Sequence, residues 1–287
     1  MSQSEGKRMT DIGIFNELSE YIAIRINSCR EESHDGDWIE HKAHNDYDLW
    51  FVQAGTVRIQ IGGIEHTANP GDVVFFYPQV PYMAASPGEG CRFIYVHFDY
   101  GIGGQQRILG DFPLSGIVAH ERIREEAELF RGTFIRSTQP GGVPGSRLYL
   151  KAGLTAVMAR IIELHGLGRY TGAFVSGRNP RKSEGSLDVL QPIFKYVHDH
   201  LHRSMKMSEL AALAGISEKY FISYFKKALG ITPGQYIYQV KMNRARDYLY
   251  EKKHTVQQIA GYLGYPDPFT FSKAFKKYYN VPPSKFV

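Results

Sequence analysis

The chain has 287 residues and a mass of 32.6 kDa, which is more than one ordinary hydrophobic core needs, so two domains are expected. Its 43% hydrophobic and 22% charged residues lie near globular averages and exclude a wholly disordered or fibrous chain. No apolar run is long enough to cross a bilayer, and residues 1–10 form no secretory signal, so we expect a cytoplasmic protein with no membrane partner. Two isolated cysteines, Cys29 and Cys91, fit a reducing compartment.

The chain begins with strand-like sequence. Five short runs rich in β-branched and aromatic residues predict strands at 21–26, 49–54, 56–61, 73–77 and 92–98. Strands this short and closely spaced favour a sandwich or a small barrel. Apolar residues then recur at helical spacing in 123–134 and in 150–164, which predicts two helices. Residues 168–186, rich in Gly, Ser, Arg and Lys, are typical of a linker.

Charge separates the last part of the chain from the rest. Residues 187–287 contain 12 Lys and 3 Arg against 7 acidic residues, a net charge of +8. Residues 1–186 contain 19 basic and 22 acidic residues, a net charge of −3. A basic region joined to a mildly acidic one indicates a polyanionic partner for the basic region.

The basic region contains an internal repeat. The sequence around Gly215 recurs 49 residues later around Gly264, and an i,i+4 phenylalanine pair recurs 50 residues later. Each copy predicts a short helix, a glycine turn and a second helix, which together form a helix-turn-helix, at 207–228 and at 255–279. The expected N-caps are Ser208, Ser217, Thr255 and Asp267, and the expected core aromatics are Phe221, Phe225, Phe271 and Phe275.

The polar face of each second helix predicts a DNA-binding surface. A helix whose outer face is basic and polar can enter a major groove and read base edges there. The candidate DNA-binding residues are Lys219, Ile222, Ser223 and Lys226 in the first copy, and Pro268, Phe269, Thr270, Lys273 and Lys277 in the second.

Residues 187–287, and above all 264–286, resemble the DNA-binding domain of AraC/XylS-type bacterial transcription regulators. The resemblance implies that the helix predicted at 233–250 joins two helix-turn-helix units, which occupy successive major grooves of a double-stranded operator. Residues 44–55, 69–72 and 95–98 resemble the cupin-type sensor barrel of the sugar-responsive branch.

Together these features predict an α+β multidomain chain. We expect an N-terminal arm at 1–20, a cupin-like effector-binding β-barrel at 21–118, two dimerisation helices at 119–167, the linker at 168–186 and an all-α DNA-binding domain at 187–287. The resemblance implies that the arm folds over the effector pocket and that the chain forms a homodimer. RNA polymerase is a further candidate partner.

Two sets of residues are candidates for the sensor functions. The stripe expected to form the dimer interface is Leu150, Leu154, Val157 and Ile161, although the same stripe could pack on the barrel. The candidate effector-binding residues are His44, Trp50, Tyr82 and His97, because polar and aromatic groups together suit sugars.

No metal ion, other cofactor or catalytic residue is expected. His41, His44 and His97 with Asp48 could build a cupin metal site. Metal-binding cupins place two histidines two residues apart, whereas His41 and His44 are three apart, so structural or ligand-binding histidines are expected instead. No nucleophile elbow, phosphate loop or paired-carboxylate arrangement is present in the sequence.

The sequence therefore predicts a ligand-responsive, sequence-specific DNA-binding transcription regulator of carbohydrate uptake or catabolism genes, and not an enzyme. Two alternatives stay open. One is a cupin-type metal enzyme fused to a DNA-binding tail. The other is a constitutive architectural DNA-binding protein whose barrel only dimerises it.

Overall fold

The computed structural model describes residues 14–102, 107–174 and 189–286, and the chain divides into two compact units whose boundary lies in segment 175–188. The first unit combines β-sheets with helices and the second is helical, which confirms the predicted α+β multidomain fold. Among the described residues, none of the helices has the length and apolar character needed to span a bilayer.

The first unit contains two antiparallel sheets. One has the strand order β1-β8-β3-β6-β9 and the other has the order β2-β7-β4-β5. The strands are β1 (Ile22–His34), β2 (Ile39–Lys42), β3 (Tyr47–Gly55), β4 (Val57–Ile61), β5 (Ile64–Ala68), β6 (Val73–Phe76), β7 (Tyr82–Ala85), β8 (Cys91–Ile102) and β9 (Gly116–Val118). Buried side chains from both sheets share one aromatic core, which includes Trp50, Phe76 and Phe93.

Burial along the strands follows their position in the sheets. In β4 the apolar Val57, Ile59 and Ile61 are buried while the residues between them are exposed, so one face is solvated. In β3 every residue from Tyr47 to Val52 is buried, because helices cover the outer face of this sheet as well. Phe51 stacks there on Phe130, with ring centroids 4.2 Å apart.

Among the described residues of the first unit, three α-helices accompany the sheets: α1 (Ile14–Glu17), α2 (His120–Ser137) and α3 (Ser146–Gly166). The helices α2 and α3 pack closely because Gly153 has no side chain. A Cβ atom at Gly153 would lie 2.8 Å from Thr133 Oγ1 and 3.1 Å from Phe130 Cα. Gly153 therefore sets how near the two helices can approach.

The predicted dimer stripe was wrong. Leu154, Val157 and Ile161 are completely buried within the single chain, and Leu150 is only 7% exposed. Side chains enclosed by their own unit cannot contact a second copy, so the stripe packs inward, as the alternative interpretation held.

The predicted linker was also wrong at its beginning. Phe174 is 6% exposed and belongs to the aromatic core of the first unit. Its backbone N–H donates to Ser115 O at 2.9 Å, and Ile117 N–H donates to Gly172 O at 2.9 Å. A Cβ atom at Gly172 would lie 1.7 Å from Ile117 O, so only glycine allows this approach. The rest of the predicted linker, from residue 175 onward, lies outside the described residues.

The second unit contains six helices among its described residues. They are α4 (Gln191–Asp199), α5 (Met207–Leu213), α6 (Glu218–Leu229), α7 (Pro233–Glu251), α8 (Val256–Tyr262) and α9 (Pro268–Tyr279). Helices α5 and α6 form the first helix-turn-helix, called copy one below, and α8 and α9 form copy two. The predicted core phenylalanines are fully buried in both copies: Phe221, Phe225, Phe271 and Phe275.

A buried lysine links α7 to copy two. Lys241 is only 8% exposed, and its Nζ donates to Leu263 O at 2.7 Å and to Arg203 O at 3.0 Å. Burial lowers the pKa of the Lys241 ammonium. This lysine fixes the turn of copy two against the chain segment that follows α4.

Candidate functional site

The second helix of each copy begins at the residue predicted to cap it. Ser217 Oγ accepts from Tyr220 N at the start of α6, and Asp267 Oδ1 accepts from Thr270 N, at 2.7 Å, at the start of α9. Thr255 and Gln258 form a capping box on α8. The prediction for Ser208 was wrong, because α5 begins at Met207 and its N-cap is Lys206, two residues before Ser208, with no side-chain cap.

The faces predicted to meet DNA are open to solvent. On α6, Lys219, Ser223 and Lys226 are exposed and Ile222 is half-buried. On α9, Pro268, Phe269, Thr270, Lys273 and Lys277 are exposed, and Phe269 reaches 78%. An apolar ring this exposed at the start of a helix suits contact with a thymine methyl group in a major groove. Each copy thus presents lysines and short polar groups on the side opposite its core.

Three of the predicted DNA-binding residues have local roles as well. The Thr270 hydroxyl donates to Asp267 Oδ2 at 2.8 Å, so it already serves the helix cap. The hydrogen bonds from Thr270 lower the pKa of the Asp267 carboxyl. Lys226 and Lys277 lie in the last turns of α6 and α9, where cations also interact favourably with the helix dipole.

One exposed aromatic residue beside the predicted DNA-binding residues was not predicted from the sequence. Tyr220 is 56% exposed in the first turn of α6. It occupies the position equivalent to Thr270, 50 residues earlier in the repeat. Applying the repeat offset to every candidate in copy two would have identified it.

In the first unit, three of the four predicted effector-binding residues surround the buried carboxylate of Asp48, and the fourth, Tyr82, contacts His44. Trp50 Nε1 donates to Asp48 Oδ2 at 2.8 Å. The Nε2 atoms of His44 and His97 each lie 3.5 Å from that oxygen, and His44 Nε2 lies 3.0 Å from the Tyr82 hydroxyl. We call His44, Asp48 and His97 the polar cluster. The sequence analysis considered Asp48 only as a possible metal ligand, and its position between the two histidines was not predicted.

The two histidines of the polar cluster differ in their electrostatics. Burial lowers the pKa of His44, and the neighbouring Asp48 only partly compensates. Burial also acts to lower the pKa of His97, but its hydrogen bond and charge interaction with Asp48 outweigh this, and the pKa of His97 is raised. Both side chains keep about a fifth of their surface exposed. The cluster can therefore be reached from solvent through its histidines.

The aromatic members of the predicted effector site are enclosed. Trp50 is 2% exposed and stacks on Phe93 at 4.4 Å, and Tyr82 is 4% exposed and stacks on Phe76 at 4.2 Å. Both rings are therefore held by core contacts, although the Tyr82 side chain also lines a surface pocket beside His41 and Lys42. The polar cluster thus presents its histidines to solvent, while the neighbouring Trp50 and Tyr82 pack in the core.

A separate cavity of about 460 Å³ lies beside α3, which is a size that suits a small-molecule ligand. The N-terminal segment contributes Phe15, Asn16 and Ser19 to its lining, β1 and β8 contribute Ile24 and Tyr100, and α3 contributes Lys151, Thr155, Ala159 and Glu163, among others. This cavity could not be predicted from local sequence patterns, because its walls come from segments far apart in the chain.

Comparisons with known proteins match both units. Residues 26–106 match the family model of the AraC-like ligand binding domain, and residues 210–287 match a helix-turn-helix domain model. The Msm operon regulatory protein of Streptococcus mutans is 33% identical over 92 residues, which are 32% of this chain and 33% of that protein. The raffinose operon transcriptional regulatory protein RafR of Pediococcus pentosaceus is 30% identical over 91 residues, which are 32% of this chain and 33% of that protein.

The probable transcription factor PqrA of Proteus vulgaris is a more completely covered relative. It is 31% identical over 101 residues, which are 34% of this chain and 83% of that protein. The chain spans only about a third of the length of the two operon regulators that it matches.

Proposed function

Because the chain belongs to the AraC/XylS family of bacterial transcription regulators, we propose that it binds operator DNA through α6 and α9 and that a carbohydrate bound by the first unit alters this binding. The observation that carries the proposal is the pair of helix-turn-helix copies with exposed lysines opposite buried phenylalanine pairs. The name of the raffinose operon regulator supports a carbohydrate as the effector. These relatives are named as regulators and not as enzymes.

The effector site that we propose is the cavity beside α3. It combines two aromatic rings, Phe15 and Tyr100, with the polar groups of Asn16, Lys151 and Glu163, and this mixture suits a polyhydroxylated ligand. Part of the expected N-terminal arm lines it, as the arm of a sensor pocket would. A ligand there would touch the arm, the sheet and α3 together. It can shift DNA binding only by binding one arrangement of the chain more tightly than another.

A homodimer remains part of the proposal, with a different interface from the one expected. The outer faces of α2 and α3 expose large apolar side chains, including Leu129 at 51%, Ile135 at 53% and Leu148 at 74%. We assign the interface to these faces. Leu148→Glu is then expected to give a folded monomer in sedimentation experiments, whereas a dimer that persists would remove this assignment.

The first experiment tests DNA binding. Genomic fragments are selected for binding to the full-length protein, and the enriched sequence is then titrated alongside a random duplex. We expect the enriched sequence to bind at least about a thousandfold more tightly than the random duplex. A failure to enrich any fragment would overturn the DNA-binding function itself.

The second experiment tests the effector. Operator affinity is measured with and without raffinose and a panel of mono- and disaccharides, for the native protein, Ala159→Trp and Ala152→Trp. Ala159 lines the cavity, and Ala152 is exposed on the same helix without lining it. We expect Ala159→Trp to abolish the response and Ala152→Trp to keep it. A response that survives Ala159→Trp would place the effector elsewhere.

A further inference from the structure

The polar cluster has the spacing of a set of metal ligands. The Nε2 atoms of His44 and His97 are each 3.5 Å from Asp48 Oδ2, and the three residues each offer a donor atom within 4.8 Å of the others. Ligand atoms placed tetrahedrally at about 2.1 Å from an ion are about 3.4 Å apart. The distances from both histidines to Asp48 therefore match those around a bound ion.

The carboxylate at the centre of the cluster is completely buried. Asp48 has no exposed surface, and its Oδ1 has no hydrogen-bond partner among the described residues. Its Oδ2 accepts hydrogen bonds from Trp50 Nε1 and from His97. A buried carboxylate with an unsatisfied oxygen is unfavourable unless a cation lies beside it. Burial and the unsatisfied Oδ1 are independent of the histidine spacing, and they leave an acceptor oxygen of Asp48 available to a cation.

The fold holds the three groups in place. The register of β3 and β8 places Asp48 directly opposite His97. The carbonyl oxygen of His44 accepts from Gln79 N–H at 2.7 Å, which fixes the loop before β3. Ser28 Oγ lies 3.1 Å from Nδ1 of His97, so Nε2 is the nitrogen turned toward the cluster. A hydrogen bond to the outer nitrogen is the usual support for a metal-binding histidine.

We propose that His44, Asp48 and His97 bind one first-row divalent metal ion through the two Nε2 atoms and the carboxylate. Two imidazoles and one carboxylate suit ions such as Zn²⁺, Fe²⁺ or Co²⁺ and are poor ligands for Mg²⁺ or Ca²⁺. The partly exposed histidines give the ion a path from solvent. None of the three ligands lines the cavity beside α3 or belongs to a helix-turn-helix copy.

This proposal reverses the expectation drawn from histidine spacing. That expectation paired His44 with His41, but His41 is exposed on β2 and stands outside the cluster. The ligands instead come from a loop, β3 and β8, and strand register brings the last two together. Spacing along the chain could not reveal a ligand pair formed across two strands.

The test measures metal binding directly. Full-length protein is treated with a chelator and titrated with Co²⁺, whose visible absorption reports ligation, and then with Zn²⁺ in competition. We expect one ion per chain and a rise in the melting temperature of the first unit. His44→Ala and His97→Ala should each weaken binding by more than 100-fold, and Ser28→Ala by about 10- to 100-fold. His41→Ala is the matched control and should bind like the native protein.

Two outcomes would overturn the site. The first is a native protein that shows no saturable one-to-one binding. The second is a loss of affinity in His41→Ala equal to that in His97→Ala. Should a histidine variant fail to fold, Asp48→Asn keeps the shape and the acceptor for Trp50 while removing the charge. Undiminished Co²⁺ binding by folded Asp48→Asn would equally overturn the proposal. DNA binding is measured separately, so a failed metal site leaves the proposed function intact.

Discussion

Copy one and copy two place a glycine at equivalent turns, and the surroundings of the two glycines differ. Both Gly215 and Gly264 have φ of +67°, a conformation that favours glycine. A Cβ atom at Gly215 would meet nothing within 4 Å, whereas one at Gly264 would lie 2.7 Å from the Arg203 backbone. Lys241 adds hydrogen bonds on both sides of that contact. The turn of copy two is thus packed into the unit, and the turn of copy one is open.

The second helices of the two copies, α6 and α9, also differ, and again copy two is the more firmly held. Asp267 caps α9 with a 2.7 Å hydrogen bond, whereas Ser217 caps α6 at 3.4 Å. On the exposed face, Lys273 of copy two stands where copy one has the short Ser223. A recognition helix that is held firmly loses less conformational freedom on binding. Two copies of one motif therefore need not contribute equally to DNA recognition. We expect copy two to contribute at least as much sequence specificity as copy one.

The largest expected effect comes from the turn glycines. Gly264→Ala should reduce the stability of the second unit by about 2–5 kcal/mol, because left-handed strain adds to a backbone clash. Gly215→Ala should reduce it by only about 1–2 kcal/mol, through strain alone. Urea unfolding followed by circular dichroism reports the helices, while both tryptophans lie in the first unit and serve as an internal control. Equal losses of unfolding free energy in the two variants would contradict the proposed difference between the two turns.

The next effect concerns base reading. Lys273→Ala should weaken operator binding by about 1–3 kcal/mol and relax the preference at one base pair. Ser223→Ala, the equivalent change in copy one, should have a smaller effect. Titrations on operator and random duplex measure both. If Lys273→Ala weakens the two duplexes equally, Lys273 contacts phosphate and the assignment of the reading face fails.

A smaller effect is expected from the caps. Ser217→Ala should reduce stability by about 0.5–1 kcal/mol, since its cap hydrogen bond is long. Asp267→Ala should lower the melting temperature further, because its carboxylate accepts from both the backbone and the hydroxyl of Thr270.

The stabilisation by Asp267 should depend on pH, because its pKa is lowered in the folded protein. This contribution is present above the carboxyl's ordinary pKa and disappears as the pH falls through the lowered pKa. Thermal melts at neutral and acidic pH test the ranking and its sign.

The smallest expected change is in salt dependence. Lys226 lies in the last turn of α6, where phosphate contact is expected, so Lys226→Ala should weaken all sequences alike. The slope of log affinity against log salt should fall by about one unit. Lys195, exposed on α4 and outside both copies, provides the matched control. A specific loss on the operator alone would show that Lys226 reads bases.

The sequence predicted best where the signal was local and periodic. The alternation of apolar and polar residues correctly predicted the solvated face of β4. The repeated phenylalanine pairs correctly predicted α6 and α9 and their buried sides. Prediction from the sequence failed where it had to say which part of the molecule covers an apolar face. The periodic stripe through Leu154 and Ile161 shows that one helix face is apolar, but a period cannot say whether a sheet or a second copy covers that face.

Long-range contacts account for the other errors. Strand β2 has mixed polarity and exists because it pairs with β7, so no local pattern marks it. Phe174 lies in a stretch rich in glycine and polar residues, yet it enters the aromatic core. Asp48 becomes the centre of the polar cluster only through its register with His97. These contacts join residues that the sequence separates by tens of positions.

The insertion of Phe174 into the core has a consequence for the order of events during synthesis. The sheets of the first unit are complete by β9, but the core still lacks one of its aromatic rings until residue 174 has left the ribosome. At about 5–20 residues per second, the intervening residues take about 3–11 s to make. During that interval the nascent barrel has an unfilled place beside Phe76 and His66, the rings that Phe174 contacts in the finished chain. The core of the first unit is therefore completed only after α2 and α3 have been translated, and a fragment cut at residue 168 would lack the Phe174 ring.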